Sequence, residues 1–330
     1  MAELLLELYS EEIPPQLQIE ARSQLKQFIE NSFKENHLKY KDLTVYSSPT
    51  RLTLYVKNLS EKIKIDAKEI KGPKVGSPDQ VLQGFIKAKS VSEKDLIEKE
   101  TEKGKFFFIK TQPQEILTEE LLKKIVPKAI GSINWKRSMR WSDYNLMWGR
   151  PLRSIFARFN NNKLLFKFDH LETNDEVIIE QDLIIKTKKI KNFAEYLAFL
   201  KSHEIIVDHE EREKIILKKI NSVAKSKQYK EHLNPKLLEE VVNIVEDPNL
   251  LLVNFNKDYL KIPQEIIITT LEKNQRYFPI FDSRDRLTNY FFVIANKKDE
   301  KKLITEGNKR VVEARLADAK FFWDKDRSKN

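Results

Sequence analysis

The chain of 330 residues contains no cysteine, which excludes disulfide bonds, thiolate nucleophiles and cysteine-ligated zinc sites. It has only seven glycines, and neither a Gly-x-x-x-x-Gly-Lys-Ser/Thr loop nor a Gly-x-Gly-x-x-Gly loop for binding phosphates occurs in it. The His-Glu-x-x-His and Gly-x-Ser-x-Gly motifs are also absent. The five histidines do not have the spacing of metal ligands, so we expect no bound metal. These absences argue against a self-contained catalyst.

Long apolar runs are absent as well. No stretch approaches the roughly 18 apolar residues that a membrane-spanning helix needs. The first eight residues carry Glu3 and Glu7 and lack a basic leader, which argues against a signal peptide. We therefore expect a cytoplasmic protein with no membrane partner.

Basic residues are in excess, with 60 Lys and Arg against 50 Asp and Glu and a net charge of +10. Such a surplus suits a polyanionic partner, because each phosphate that is neutralised by Lys or Arg releases condensed counterions. A second interpretation is that the Lys-, Ile- and Asn-rich composition reflects an AT-biased genome. Charge alone leaves both interpretations open.

Apolar periodicity predicts a mixed α/β or α+β chain of two or more domains. A strand–helix–strand unit is predicted within residues 1–60, and we place domains at 1–175 and 236–330 with a helical or linker segment at 176–235. Apolar spacing and turn residues predict these further elements: a loop over Ile70–Pro78, helices over Asp79–Lys89, Thr118–Ile130, Ile190–Leu200, Glu210–Ala224 and Leu303–Lys325, a strand-like segment Ile205–Val207, and a hairpin at Asn160–Asn162.

One basic segment places three cations, Lys136, Arg137 and Arg140, between Trp135 and Trp141. Cations can bind phosphates while aromatic rings stack on bases. The alternative is that both rings belong to the core and that the cations form a solvated face. Two more arginines, Arg150 and Arg153, follow shortly after.

Two further segments carry candidate RNA contacts. Gln275 and Arg276 lie at a predicted helix end, where their donors suit phosphate, sugar or base edges. Placement of an arginine to suit the helix dipole explains Arg276 equally well. Arg310 lies off the apolar stripe of the last predicted helix, whose acidic residues are interpreted as surface charges.

Six segments occur in a fixed order along the chain: Leu4-Leu5-Leu6-Glu7-Leu8-Tyr9-Ser10-Glu11-Glu12-Ile13-Pro14; Ser48-Pro49-Thr50-Arg51-Leu52; Lys71-Gly72-Pro73 with Gly84-Phe85; Lys136–Trp141 with Arg150-Pro151; Pro263–Pro279; and Gly307-Asn308-Lys309-Arg310-Val311 with Ala314–Phe322. Together they resemble the beta subunit of bacterial heterotetrameric glycyl-tRNA synthetase. Thr50, Ser154, Asn274 and Lys309 replace residues that are usual in that family, and no equivalent of its Gly-His-Arg-Phe element occurs near 173–179.

The resemblance implies a division of labour. In this family the alpha subunit activates glycine with ATP and Mg, and the beta subunit binds tRNA-Gly and completes an α2β2 ligase, so this chain needs no cofactor of its own. It also implies N-terminal domains similar to those of the phenylalanyl-tRNA synthetase beta subunit. Family members are about twice as long and continue into HD-type and anticodon-binding domains, which are expected to be absent here.

The resemblance leaves other roles to test. A structural association module would use Phe321-Phe322-Trp323 to dock a partner. An independent ligase or editing hydrolase has little support in the sequence.

Overall fold

A computed structural model describes residues 2–65, 67, 69–89, 91–110, 113–181 and 183–328. The α-helices in these residues are α1 Pro15–Glu35, α2 Asp79–Lys89, α3 Thr118–Gly131, α4 Phe193–Lys201, α5 His209–Lys227, α6 Pro235–Val242, α7 Gln264–Thr269 and α8 Leu303–Arg327. A π-helical turn, Thr270–Asn274, extends α7, and short 3-10 helices cover Glu93–Asp95 and Lys257–Lys261.

The strands in the described residues are β1 Ala2–Ser10, β2 Asp42–Ser48, β3 Arg51–Leu59, β4 Lys62–Ile65, β5 Glu69–Lys74, β6 Leu96–Thr101, β7 Gly104–Lys110, β8 Gln114–Leu117, β9 Met139–Arg140, β10 Met147–Trp148, β11 Leu152–Phe159, β12 Asn162–Lys163, β13 Lys167–Phe168, β14 Leu171–Asn174, β15 Glu176–Gln181, β16 Ile184–Lys189, β17 Lys230–Glu231, β18 Asn249–Asn254, β19 Phe278–Phe281 and β20 Leu287–Ala295. The predicted mixed α/β class is confirmed. No helix among the described residues has the length and hydrophobicity to cross a membrane.

The N-terminal sheet has β1 at its centre. Its strand order is β13-β14-β11-β1-β3-β2, with β12 paired to β11, and β1 is antiparallel to both β3 and β11. Alternate residues Leu4, Leu6 and Leu8 are buried in the core that α1 covers. Helix α1 contributes residues at three- and four-residue spacing: Leu17, Ala21, Leu25, Ile29 and Phe33.

The other face of this sheet is covered by α4 and the β15–β16 hairpin. Leu5 of β1 and Phe156 of β11 are buried there with Val177, Tyr196 and Phe199. Both faces of β1 are therefore buried, which explains why its sequence is a nearly continuous apolar run. The predicted division between residues 175 and 176 stays a prediction.

A second sheet, β17-β19-β20-β18, lies in the C-terminal part of the chain. Helices α5 and α6 pack against one of its faces through a core that includes Ile216, Ile220, Leu238, Phe292 and Ile294. The π-helical turn and α8 pack against the other face, where the core includes Val253, Leu271, Phe291, Val312 and Leu316.

A small module is inserted between β4 and β8. These two strands pair antiparallel from Lys62 opposite Leu117 to Ile65 opposite Gln114, and so form a stem. The inserted module, residues 69–110, consists of a sheet of order β5-β7-β6 with α2 packed on it. Its entry and exit are therefore adjacent.

Most predicted elements are confirmed. Helix α2 has the predicted limits, and the hairpin turn between β11 and β12 uses Asn160 and Asn161 in the left-handed conformation, at φ 49° and 65°. The predicted helices at 118–130, 210–224 and 303–325 are present with limits shifted by one to three residues.

Two predictions are wrong. The predicted loop Ile70–Pro78 contains strand β5, because the register shifts between Lys71 and Lys74 and an edge strand tolerates the proline there. Segment 205–207 is not a strand: its side chains Ile205 and Val207 fill the core beside α4, and its backbone pairs with no strand in the described part of the chain. The β15–β16 hairpin was not predicted.

Candidate nucleic-acid interface

The first basic cluster follows α3. Trp135 is 7% exposed, and its ring centroid lies 4.8 Å from that of Trp148. Gly149 makes this packing possible, because a Cβ there would lie 2.5 Å from a ring carbon of Trp135. The interpretation in which Trp135 stacks on a base is therefore wrong, and this ring belongs to the core. Trp141 is half-buried.

The three cations between these tryptophans are exposed, but they differ in their partners. The ammonium of Lys136 lies 2.6 Å from Oε1 of Glu20, and this hydrogen bond lowers the pKa of that carboxyl. The guanidinium groups of Arg137 and Arg140 contact no carboxylate and donate no hydrogen bond to any residue that the structure describes. Strand β9 carries Arg140 opposite Met147. Two positive charges on this surface are thus available to an anionic partner.

The next two arginines are less available. The guanidinium of Arg150 donates to the carbonyl of Gly149 at 2.9 Å. Arg153 lies 3.3 Å from Glu11 and 2.5 Å from Glu180, and the hydrogen bond to Glu180 raises its pKa. Two carboxylates therefore already neutralise Arg153.

The second basic cluster lies where the π-helical turn ends. Arg276 has a left-handed backbone, at φ 59°, and its Nε donates to Glu240 at 2.9 Å. The hydroxyl of Tyr277 hydrogen-bonds Asn308, so residues 275–277 are held against the first turns of α8. Arg310 is exposed on this helix, and Gln275 is half-buried.

The side chains of this second cluster differ in whether they already have a partner within the protein. Gln275 makes no side-chain hydrogen bond to a described residue, and the Nε of Arg310 reaches only the Glu306 carbonyl, at 3.4 Å. The structure thus places Gln275 and Arg276 together at the end of the π-helical turn, while Arg310 lies on α8, and of these three side chains only Arg276 is ion-paired with a described residue.

Sequence reasoning missed a buried polar network on the face of the N-terminal sheet that α4 covers. Arg51 donates to Glu7 at 2.9 Å, the hydroxyl of Tyr196 lies 2.6 Å from the same carboxylate, and Thr53 lies 2.8 Å from that hydroxyl. Burial acts to lower the pKa of Arg51, but the carboxylate of Glu7 raises it above its usual value. Burial and Glu7 together raise the pKa of Tyr196. An acidic residue inside the apolar run of β1 was the available signal.

A cleft of about 780 Å³ adjoins this network. It is lined by residues of both signs, among them Arg51, Glu180, Glu246, Lys298 and Asp299. No group of three or more His, Asp or Glu side chains able to hold a metal ion occurs among the described residues. The cleft therefore offers hydrogen-bonding groups of both kinds, with acidic residues in modest excess over basic ones.

Comparison with known proteins gives a consistent result over the whole chain. Residues 4–330 match the model of a family described as glycyl-tRNA synthetase beta subunit. Curated relatives named glycine–tRNA ligase beta subunit include those of Rickettsia felis, 32% identical over all of this chain and 50% of the relative, and Rickettsia typhi, 35% identical with the same coverage. The protein of that name from Dictyoglomus thermophilum is 33% identical over 98% of this chain and 48% of its own length. The chain spans about half the length of the curated relatives it matches.

Proposed function

Because this chain belongs to the glycyl-tRNA synthetase beta subunit family, we propose that it is a tRNA-binding part of a glycine–tRNA ligase. The family match over residues 4–330 is the observation that carries the proposal. In the proposed reaction ATP, glycine and tRNA-Gly give glycyl-tRNA-Gly, AMP and diphosphate. The protein then serves translation in the cytoplasm as part of an aminoacyl-tRNA synthetase.

The proposed division of chemistry assigns glycine activation, with ATP and Mg, to a separate alpha subunit in an α2β2 assembly. The lack of any glycine-rich phosphate-binding motif in the sequence supports this assignment. The beta chain then contributes RNA contacts and subunit contacts, and its N-terminal domains share the architecture of the phenylalanyl-tRNA synthetase beta subunit.

The unpaired cations support the RNA-binding part of the proposal. Arg137 and Arg140 have no carboxylate partner among the described residues, whereas Lys136 and Arg276 each have one and Arg153 has two. A phosphate that binds an unpaired arginine gains a charge-assisted hydrogen bond without breaking an existing ion pair. Arg137 and Arg140 are therefore the first phosphate contacts to test, ahead of Arg150, Gln275 and Arg310.

A salt series tests the proposal. The 330-residue chain is titrated with tRNA-Gly and with a non-cognate tRNA at several salt concentrations. We expect the logarithm of the binding constant to fall linearly with the logarithm of salt concentration, because each neutralised phosphate releases counterions. Absence of binding to both tRNAs at low salt contradicts RNA binding by this part of the family.

A second candidate function is subunit association, which two exposed rings favour. Phe321 and Phe322 of α8 are 62% and 61% exposed and lie edge-to-face with their centroids 5.5 Å apart, while Val312 and Leu316 hold the helix to the sheet. Exposed aromatic side chains are frequent in protein interfaces. Sedimentation of the chain with the alpha subunit tests this role: a complex that Phe322→Glu abolishes supports it, and an unchanged complex contradicts it.

A further inference from the structure

The sheet of the inserted module has one covered face and one uncovered face. A Cβ at Gly72 would lie 2.7 Å from the ring of Phe85, so Gly72 faces α2. Lys71, the preceding residue, pairs with Phe108. Because successive strand residues point to opposite faces, Phe108 lies on the face away from α2, together with Phe106. Phe106 and Phe108 are half-buried, and the core clusters of the described residues include no residue of this module.

The two faces of the module's sheet carry different charged residues. Directly paired residues share a face, and those that pair with Phe106 and Phe108 are Lys74, Lys99, Lys71 and Ile97. Glu69 and Lys110, which pair with each other, lie on this face too. Among the described residues, the uncovered face thus carries four lysines and one glutamate. Glu98 and Glu100 of the other edge strand, β6, point to the α2 face.

The rings and the cations are in contact on this uncovered face. The ammonium of Lys71 lies 3.5 Å from the ring centroid of Phe106, and that of Lys99 lies 5.8 Å from the ring of Phe108. Lys99 is also 2.5 Å from Glu69. Lys71 is exposed, Ile97 is 44% exposed, and both rings are half-buried. An exposed lysine above a ring can move aside for a base and bind the adjacent phosphate, since its side chain is flexible.

We propose that the uncovered face of the inserted module binds single-stranded RNA, with Phe106 and Phe108 stacking on bases and the surrounding lysines binding phosphates. Stacking platforms within a positively charged surface are how proteins bind single strands without reading their sequence. A protein partner would gain little from four lysines around two rings, because lysine is depleted in protein interfaces. The choice of RNA rather than DNA rests on the proposed function.

Binding to a short oligonucleotide tests this proposal on the full 330-residue chain. Fluorescence anisotropy is measured with a single-stranded RNA of about 12 nucleotides, within the range one small stacking surface covers, and with an RNA duplex of equal length. We expect the single strand to bind more tightly, since only unpaired bases can reach the rings. Phe108→Ala is expected to weaken binding about tenfold, and Phe108→Trp to retain it.

Matched lysine variants separate a specific surface from general charge. Lys71→Glu changes the uncovered face, whereas Lys105→Glu makes the same charge change on the central strand of the α2 face. We expect Lys71→Glu to weaken binding several-fold more than Lys105→Glu. Unfolding curves of each variant show whether the module remains folded, and the Phe108→Trp variant serves as the folded reference for the ring.

The outcomes for this face and for tRNA are independent. Equal binding of duplex and single strand, or full binding by the folded Phe108→Ala variant, overturns the proposal even if tRNA-Gly binds well through other residues. Single-strand binding that depends on Phe108, in a chain without affinity for tRNA-Gly, supports the face and contradicts the proposed function.

Discussion

Arg51 of β3 donates a 2.9 Å hydrogen bond to Glu7 of β1, and the two side chains are only 1% and 2% exposed. This pair connects adjacent strands on the face that α4 covers, and Tyr196 of α4 joins it through the same carboxylate. A second guanidinium nitrogen of Arg51 donates to the carbonyl of Ile178 at 2.5 Å. The pair therefore links the N-terminal sheet to α4 and to the β15–β16 hairpin, which both pack on this face.

Removal of one partner of this pair should be costly. We expect Arg51→Met to lower the free energy of unfolding by about 3–5 kcal/mol, because Glu7 is left buried and charged without a cation. The double variant Arg51→Met, Glu7→Leu should lose less than the single variant. Urea unfolding measures both, and Lys62→Met, which breaks an exposed pair with Glu115, is the control expected to change stability little. A double variant less stable than Arg51→Met contradicts this prediction.

His209 should make stability depend on pH. Burial, followed by the charges of Arg22 and Arg212, lowers its pKa to about 4, whereas an unfolded histidine titrates near pH 6.5. The unfolded chain thus binds more protons between these values, so stability is full above about pH 6.5 and falls as pH drops towards 4. Unfolding of His209→Gln between pH 7 and pH 4 should show a weaker decline than the wild type. His37→Gln, at an exposed histidine, should leave the decline unchanged.

Reversal of the unpaired charges should weaken tRNA binding. The variant Arg137→Glu, Arg140→Glu is expected to bind tRNA-Gly more weakly and with a salt slope reduced by about 2, because two phosphate contacts are lost. Lys225→Glu, Lys227→Glu makes the same change of charge at the exposed end of α5 and serves as the control. If the variant is folded and its salt slope is unchanged, Arg137 and Arg140 do not contact tRNA phosphates.

Two glycines should respond to alanine with opposite signs. Gly149→Ala places a Cβ 2.5 Å from the ring of Trp135 and should lower stability by about 1–3 kcal/mol through overpacking. Gly84 lies within α2 with nothing within 4 Å of the added Cβ, so Gly84→Ala should raise helix stability by about 0.8–1 kcal/mol. Thermal unfolding followed by tryptophan fluorescence and by circular dichroism measures the two effects. Equal stability of Gly149→Ala and wild type contradicts the packing argument.

The sequence predicts local elements well because their signals are local. The apolar spacing of α1, the hairpin asparagines and the limits of α2 each depend on a few neighbouring residues. Strand β5 was missed because Gly72-Pro73 is typical of a loop, and only its edge position, set by β7, permits a strand. Whether such a segment forms a strand depends on a partner strand that is distant along the chain.

The sequence predicts which residues of the candidate site are basic, but it does not predict which of them already form ion pairs within the protein. Arg137 and Arg153 are equally basic in the sequence, yet Glu11 and Glu180 neutralise only Arg153. Similarly, Glu7 within an apolar run is unusual, but its partner Arg51 is 44 residues away and Tyr196 is 189 residues away. Such pairings arise from the tertiary fold, and no local pattern contains them.

The central position of β1 has a consequence for synthesis on the ribosome. Its partner β3 follows within the first 59 residues, whereas its other partner β11 ends at Phe159. At about 5–20 residues per second, the roughly 100 residues between β3 and β11 take on the order of 5–20 s to be made. During that interval a strand rich in leucine has an open hydrogen-bonding edge, which another nascent chain can occupy before β11 arrives.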